Sequence, residues 1–224
     1  MLEITHDEPI FTLTMNNGEN RFTLDFIKRC HAQLDEILER AGDGPAALVL
    51  TGEGKYWSNG IDLEALMGAK PEDQAAFLPA LNGLLGRLVC FPLPTIAAIN
   101  GHTFAGGALL ALTCDYRIMR TERGWFCLPE VDIQVPFAPA MHTLMKAKLS
   151  IPVLRDAVLN GRRYTGDEAL DAGIVDALCD VTELAATCAA TATPLAQKGR
   201  SIFTQMKTGL YGQLGAELGW NPDA

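Results

Sequence analysis

The fold is decided by one stretch of the chain, Pro94-Thr95-Ile96-Ala97-Ala98-Ile99-Asn100-Gly101-His102-Thr103-Phe104-Ala105-Gly106-Gly107. Residues 95–100 form a nearly continuous apolar run, which is typical of a strand that is covered on both faces. The glycine pair then opens a helix of small residues over 108–112. A buried strand that leads through a glycine-bearing loop into a helix indicates an α/β fold, in which ligands bind beyond the carboxyl ends of the strands.

The same order of strand, loop and helix occurs once earlier in the chain. Residues 46–51 are a second continuous apolar run, and the loop 52–60 precedes a short helix predicted near 63–67. Helix N-termini carry backbone N–H groups without partners, so two such loops that converge could stabilise a developing oxyanion. A glycine pair before a helix also serves close packing against a strand, and neither loop carries a nucleotide-phosphate motif.

The remaining pattern extends this core and then becomes helical. Period-two alternation over 10–15, ended by Asn16-Asn17-Gly18, predicts a strand of an initial hairpin, and Thr23 is expected to cap a helix that runs to about residue 41. Further segments are predicted as helices at 72–90, 139–149, 152–160, 165–172 and from 181 into the final residues, and as strands at 115–119 and 125–127. These elements predict an α/β core with right-handed crossovers and an appended helical segment.

The composition excludes several classes of protein. The 224 residues include 18 Lys and Arg and 27 Asp and Glu, so the formal charge is 18 − 27 = −9. Nucleic acids and anionic membranes are held by clustered basic residues, so neither partner is expected. The six cysteines and four histidines show no metal-binding spacing, and the sequence contains no secretory signal or membrane-span pattern. We therefore expect a soluble, cytoplasmic protein without a metal site.

A third segment places two carboxylates in apolar surroundings. Glu130 and Asp132 lie in the sequence Leu128-Pro129-Glu130-Val131-Asp132-Ile133. Burial raises the pKa of a carboxyl group, which suits a general base near neutral pH. The alternative is a solvated carboxylate at the edge of a loop, and this segment by itself favours that alternative.

Together, the three segments resemble the crotonase (enoyl-CoA hydratase/isomerase) superfamily. Trp57-Ser58-Asn59-Gly60-Ile61-Asp62-Leu63 is similar to the first oxyanion loop of that family, and residues 94–115 are similar to the second. The resemblance implies an α/β, crotonase-like ββα spiral core over 1–175 and a C-terminal helical oligomerisation segment over 176–224, in one structural unit. It also implies a homotrimer or a dimer of trimers. The loop 52–60 and residues 130–133 are most similar to the small Δ3,Δ2-enoyl-CoA isomerases of plants and bacteria.

The resemblance also implies the roles of individual residues. The backbone N–H groups of Ile61 and Gly106 would form an oxyanion hole around a thioester oxygen, and Glu130 would be the catalytic base. Ala105 stands where many members have another glycine, which leaves the donor at Gly106 intact. The implied substrate is an acyl-CoA thioester, so coenzyme A is part of the substrate and no separate cofactor is expected. Residues implied to line the substrate site are Ser58, Asn59, Gly60, Asp62, Leu63, Gly107, Leu109 and Phe137.

Leu109 is the departure that selects among the reactions of the family. Hydratases of the family carry a glutamate there, paired with a second that matches Glu130, because addition of water requires both its activation and delivery of a proton. An apolar Leu109 favours a Δ3,Δ2-enoyl-CoA isomerase of fatty-acid β-oxidation, in which one base moves a proton from C2 to C4. The alternatives are enoyl-CoA hydratase (with Asp132 or a bound water compensating), another crotonase-type acyl-CoA reaction, or a non-catalytic acyl-CoA-binding paralogue.

Four polar residues have less specific assignments. Asp62 is expected to cap the short helix that follows it. His102 is more typical of a structural residue at a strand end than of a catalytic one. Lys55 and Arg87 could meet the phosphates of CoA, although any exposed basic residue would fit that role equally.

Overall fold

Two β-sheets of different size carry the fold. The computed structural model describes residues 1–221, in which a six-stranded sheet has the order β1-β2-β3-β5-β7-β9 and a three-stranded sheet has the order β4-β6-β8. The strands are β1 (Leu2–Asp7), β2 (Ile10–Met15), β3 (Ala47–Gly52), β4 (Tyr56–Ser58), β5 (Thr95–Ile99), β6 (His102–Phe104), β7 (Tyr116–Arg120), β8 (Phe126–Cys127) and β9 (Ala177–Cys179). The helices are α1 (Leu24–Ala41), α2 (Leu63–Gly68), α3 (Pro71–Val89), α4 (Gly106–Thr113), α5 (Glu130–Ile133), α6 (Pro139–Lys148), α7 (Ile151–Leu159), α8 (Gly166–Asp171), α9 (Leu184–Ala196) and α10 (Arg200–Glu217).

The larger sheet begins with the predicted hairpin and continues with parallel strands. β1 and β2 pair antiparallel, whereas β2, β3, β5, β7 and β9 pair parallel in that order. The alternating residues of β2 bury Phe11, Leu13 and Met15 in the main core. Parallel neighbours require crossover connections, and helices α1, α3 and α4 lie between successive strands along the chain.

The continuous apolar runs of β3 and β5 are buried on both faces of the sheet. In β3, Leu48 and Leu50 belong to the main core, to which α1, α3 and α4 also contribute. The alternate residues Ala47 and Val49 belong to a second apolar cluster, which includes residues of α9. Because successive side chains of a strand point to opposite faces, two-sided burial requires apolar residues at every position, and this part of the prediction is confirmed.

The helix predicted after the first hairpin also forms as expected. The Oγ of Thr23 accepts a hydrogen bond from the N–H of Phe26 at 3.1 Å, which caps the N-terminus of α1. The amphipathic pattern buries Ile27, Leu34 and Ile37 against the main core. The boundary of α3 differs from the prediction by one residue at each end.

The smaller sheet is the main difference from the predicted architecture. Residues 52–60 and 100–107 were expected to be loops, yet they contain β4 and β6, which pair with each other in parallel. Residues 125–127, which were predicted as a further strand, contain β8, and β8 pairs with β6 in the smaller sheet. Each of these strands has only two or three residues, which is too short to produce a recognisable alternation of apolar and polar side chains.

The C-terminal part of the chain combines a strand with two helices. β9 pairs with β7, and α9 packs against β2, β3, β5 and β7, so residues 177–196 complete the larger sheet and cover its second face. The helix predicted from 181 onward is divided into α9 and α10, and its last residues, 222–224, lie outside the described residues. Within residues 1–221, no helix has both the length and the apolar character needed to cross a membrane.

Candidate active site

The smaller sheet brings three segments of the chain to one edge. β4 leads into residues 59–62, β6 leads through Ala105 into α4, and β8 leads into α5. Since the three strands are parallel, with pairs such as Tyr56 with His102 and Thr103 with Phe126, their carboxyl ends meet on the same side. Ile61, Gly106 and Glu130, which are far apart in the sequence, are therefore gathered at one edge.

Close backbone contact between the first two segments depends on Gly60. A Cβ atom on Gly60 would lie 2.8 Å from the backbone nitrogen of Gly106 and 3.0 Å from the carbonyl oxygen of Phe104. The φ angle of Gly60 is +75°, in the left-handed region that favours glycine. A side chain at this position would push the two segments apart, so glycine is required for the two loops to converge.

The N–H groups of Ile61 and Gly106 are left without acceptors by the way in which their segments are held. Phe22 forms a parallel bridge to Ile61, in which its N–H donates to the Gly60 carbonyl at 2.7 Å and its carbonyl accepts from the N–H of Asp62 at 3.0 Å. The peptide N–H of Ile61 therefore points away from Phe22. Gly106 is the first residue of α4, where an N–H has no acceptor within the helix. Neither N–H donates to any other residue within 1–221.

Ile61 and Gly106 both line a cavity of about 580 Å³ that also contains Glu130. Of the sequence-predicted residues, this cavity brings together Asn59, Ile61, Leu63, Gly106 and Glu130. Donors that converge on one point of a partly enclosed cavity can stabilise an oxyanion that develops on a bound carbonyl group.

Glu130 is the buried carboxylate of this cavity. It is the first residue of α5, its exposed fraction is 8%, and its Oε2 has no hydrogen-bond partner within 1–221. Burial raises the pKa of Glu130 from its ordinary value of 4.5 to about 7. A carboxyl group with such a pKa is available as a carboxylate near neutral pH and binds a proton readily, as a general base must. Asp132 is solvent-exposed and does not line the cavity.

Several residues predicted to contact substrate instead support the cavity from behind. Ser58 is fully buried, and its hydroxyl donates to the Asn20 carbonyl at 2.7 Å and accepts from the N–H of Gly60 at 3.2 Å. A Cβ on Gly107 would lie 2.6 Å from the Ser58 carbonyl oxygen, so Gly107 permits close packing of α4. Ser58 does not line the cavity, because its hydroxyl is used to hold the backbone of the loop and of Asn20.

The other predicted residues lie beside the cavity or behind it. Leu109 lies one turn along α4 from Gly106 and is buried in the main core. Asp62 caps α2 by accepting from the N–H of Ala65 at 3.0 Å, and it borders a separate cavity of about 300 Å³. Phe137 lines a neighbouring depression that shares Glu130 with the main cavity. The expectation that Asp62 is a helix cap is confirmed.

Two arginines that the sequence pattern did not mark line the cavity. The guanidinium of Arg21 pairs with the carboxylate of Glu19 at 2.6 Å, and that of Arg163 lies 5.3 Å from the centroid of the Trp125 ring. Arg87, which was proposed as a phosphate contact, is buried and pairs with Asp35 at 2.5 Å, so it does not reach the cavity. Single arginines carry no spacing signal, so only their placement in the fold distinguishes these roles.

His102, in strand β6 of the smaller sheet, lies among aromatic rings. Its ring centroid is 5.3 Å from that of Tyr56, 5.6 Å from that of Phe104 and 5.2 Å from that of Trp125. Burial lowers the pKa of His102, which favours a neutral ring. Since His102 does not line the cavity, its placement agrees with the expected structural role.

Two sheets with largely parallel strands, with two loop N–H donors and a buried carboxylate at one cavity, define a crotonase-type fold. The sequence model of the enoyl-CoA hydratase/isomerase family matches residues 5–218. The chain belongs to the enoyl-CoA hydratase/isomerase family.

Relatives and solved structures agree with this membership. The chain is 33% identical over 221 residues to "enoyl-CoA delta isomerase 2, peroxisomal" of Arabidopsis thaliana, over 94% of this chain and 92% of that protein. The crystal structure of an enoyl-CoA hydratase/isomerase family protein from Pseudomonas syringae has a TM-score of 0.89 and 28% identity, over 97% of this chain and 93% of that one. The crystal structure of human mitochondrial Δ3-Δ2-enoyl-CoA isomerase has a TM-score of 0.86 and 25% identity, over 97% of this chain and 85% of that one. The predicted superfamily and fold class are confirmed.

Proposed function

We propose that this chain is a Δ3,Δ2-enoyl-CoA isomerase of fatty-acid β-oxidation. The observation that carries the proposal is the single buried carboxylate, Glu130, in the cavity that also presents the free N–H groups of Ile61 and Gly106. The similarity to proteins named enoyl-CoA delta isomerases over nearly the whole chain supports the same activity.

The proposed reaction begins with the thioester carbonyl oxygen between the N–H groups of Ile61 and Gly106. The Glu130 carboxylate removes a proton from C2, and the electron pair of the broken C–H bond forms a dienolate whose negative oxygen the two donors stabilise. Loss of one such donor typically costs about 3 kcal/mol of transition-state stabilisation. Protonated Glu130 then delivers the proton to C4, so the double bond moves from C3 to C2 and the carboxylate is restored.

The surroundings of Glu130 favour isomerisation over hydration. A hydratase needs a second group that activates water, yet Leu109 is apolar and buried, and Asp132 is exposed outside the cavity. The other carboxylate of the cavity, Glu64, is solvent-exposed. Since isomerisation moves a hydrogen within one substrate, the proposed reaction requires neither a metal nor a redox cofactor, and coenzyme A enters as part of the substrate.

The arginines of the cavity are proposed to hold the CoA part of the substrate. Arg21 and Arg163 are the basic residues among those lining it, in a chain whose formal charge is −9. Guanidinium groups bind phosphate oxygens through charge-assisted hydrogen bonds. A CoA thioester that enters between them would place its phosphates at the cavity rim and its acyl group near Glu130.

The activity is tested with purified protein and a trans-3-enoyl-CoA, following formation of the conjugated 2-enoyl thioester by its ultraviolet absorbance. Glu130→Gln keeps the size of the side chain and removes the base, so we expect turnover to fall by at least about 100-fold. Glu64→Gln removes the exposed carboxylate of the same cavity and is the matched control, for which wild-type turnover is expected. Undiminished turnover by Glu130→Gln, or binding of the substrate without turnover by the wild-type chain, would overturn the proposal.

The proposed assembly is a homotrimer or a dimer of trimers in the cytoplasm. Three apolar side chains at four-residue spacing, Ile202, Met206 and Leu210, are exposed along α10, as expected of a helix face that another subunit covers. All six cysteines are free, which fits a reducing compartment. Light scattering on the purified protein measures the assembly, and a monomer at micromolar concentration would contradict it.

A further inference from the structure

The segment of residues 19–22 holds the first oxyanion loop on both sides of its donor. Two residues before the Ile61 donor, the N–H of Asn59 donates to the Glu19 carbonyl at 2.9 Å. Phe22 is hydrogen-bonded to Gly60 and Asp62, the residues on either side of Ile61. The N–H of Ile61 is thereby left without an acceptor within residues 1–221. The direction in which this N–H points is therefore set by residues 19–22.

Within this segment, Asn20 makes the most hydrogen bonds to the loop. Its side-chain Nδ2 donates to the carbonyl oxygens of Tyr56 at 3.0 Å and Trp57 at 3.1 Å. Its Oδ1 accepts from the N–H of Asn17 at 2.8 Å, so each polar atom of the side chain is used. Its backbone carbonyl accepts from the Ser58 hydroxyl, which in turn accepts from the N–H of Gly60.

The backbone conformation and burial of Asn20 restrict which residue can stand there. Its φ angle is +51°, a region that asparagine and glycine enter more readily than other residues, and its exposed fraction is 0%. Aspartate can adopt the same backbone conformation but supplies no N–H donors, and it would face two carbonyl oxygens with a carboxylate. Glycine can adopt it but supplies no side-chain hydrogen bonds.

The same segment also contacts the second oxyanion loop. Phe22 is fully buried, and a Cβ on Gly106 would lie 3.3 Å from Cε2 of the Phe22 ring. Residues 19–22 therefore touch the segments of both N–H donors, while Asn20 does not itself line the cavity.

We infer that Asn20 is a positioning residue of the oxyanion hole, which fixes the Ile61 N–H through its hydrogen bonds to the loop at 56–60. The inference rests on the proposed function for the reaction that the hole serves. Displacement of a reacting group by about 1 Å can lower the rate about 100-fold, so loss of these bonds acts on the chemical step.

The test is the Asn20→Asp variant, with Asn100→Asp as the matched control. Asn100 is also buried and also binds the loop twice, because its Oδ1 accepts from the N–H of Gly52 at 3.1 Å and its Nδ2 donates to the Gly54 carbonyl at 3.2 Å. Those bonds lie at the beginning of the loop, further along the chain from the Ile61 donor than the bonds of Asn20 to Tyr56 and Trp57. The two variants therefore carry the same substitution and differ in which part of the loop is released.

The decisive readout is the carbonyl stretching frequency of bound trans-2-hexenoyl-CoA labelled with ¹³C at the thioester carbonyl. Hydrogen bonds from the oxyanion hole lower this frequency, so we expect Asn20→Asp to lose most of the downward shift and Asn100→Asp to keep it. In the isomerase assay, Asn20→Asp is expected to lower kcat about 10-fold to 100-fold, with KM changed less than about threefold. Asn100→Asp is expected to retain kcat within about threefold, with any loss confined to thermal stability.

Ser58→Ala provides a second test that makes a smaller change to the buried segment. It removes the hydroxyl that links the Asn20 carbonyl to the N–H of Gly60, and it is expected to reduce the carbonyl shift and kcat in the same direction. A full carbonyl shift and wild-type kcat in Ser58→Ala, or equal losses in Asn20→Asp and Asn100→Asp, would overturn the inference. Absence of a carbonyl shift in the wild-type chain would instead overturn the proposed oxyanion hole itself.

Discussion

Replacement of Glu130 by glutamine is expected to stabilise the protein while it removes the base. Burial raises the pKa of Glu130 to about 7, so between pH 4.5 and pH 7 the folded chain holds a proton that the unfolded chain has lost. The folded state binds more protons in this window, and its stability therefore falls as the pH rises. Glutamine cannot ionise and has nearly the same shape, so the stability of the Glu130→Gln variant lacks this decrease with rising pH.

The magnitude follows from the size of the pKa shift. A rise from 4.5 to about 7 corresponds to about 3 kcal/mol of destabilisation once both the folded and unfolded states are ionised. About 2.5 kcal/mol of this effect develops between pH 5 and pH 8, because at pH 5 the unfolded carboxyl group is already partly ionised. The stability of Glu130→Gln relative to the wild-type chain should increase by that amount over this range.

The assay is urea unfolding of both proteins at equal concentration and at several pH values between 5 and 8. Glu64→Gln, which changes an exposed carboxylate of the same cavity, is the matched control. A difference between Glu130→Gln and the wild-type chain that stays constant from pH 5 to pH 8 would refute a buried Glu130 with a raised pKa.

Three other substitutions test the loops and the cavity rim. Ala105 has φ 52° and ψ −125°, a conformation that favours glycine. Ala105→Gly is therefore expected to raise the free energy of unfolding by about 1 kcal/mol, and a lower free energy of unfolding would contradict a strained backbone at this position. Gly60→Ala places a Cβ 2.8 Å from the Gly106 nitrogen and should lower kcat at least about 100-fold, so a wild-type kcat would contradict the convergence of the loops. Arg163→Met should raise KM for acyl-CoA about tenfold at unchanged kcat, whereas a lower kcat with unchanged KM would show that Arg163 acts on the chemistry instead.

The long strands and helices were predictable because burial requires apolar residues at regular positions along each of them. β3 and β5 each present apolar side chains to two faces, and α1 repeats its apolar residues over four to five turns. The glycine-bearing loops after these strands and the apolar surroundings of Glu130 pointed to the residues that the cavity brings together.

The features that escaped prediction share a dependence on tertiary contacts. β4, β6 and β8 are too short for periodicity, although together they bring Ile61, Gly106 and Glu130 to one edge. The role of Asn20 depends on hydrogen bonds to residues 36 and 37 positions away, which no local pattern records. One local signal was available, since asparagine enters the left-handed backbone region more readily than most residues.

The most direct test of the proposed reaction is the mass and structure of the product that the purified wild-type chain forms from a trans-3-enoyl-CoA. Chromatography with mass spectrometry separates an isomer, which keeps the mass of the substrate, from a 3-hydroxyacyl-CoA, which has gained one water. We expect conversion to trans-2-enoyl-CoA without gain of mass. Accumulation of the hydrated product, release of free CoA, or recovery of the unchanged substrate would contradict isomerisation by a single buried glutamate.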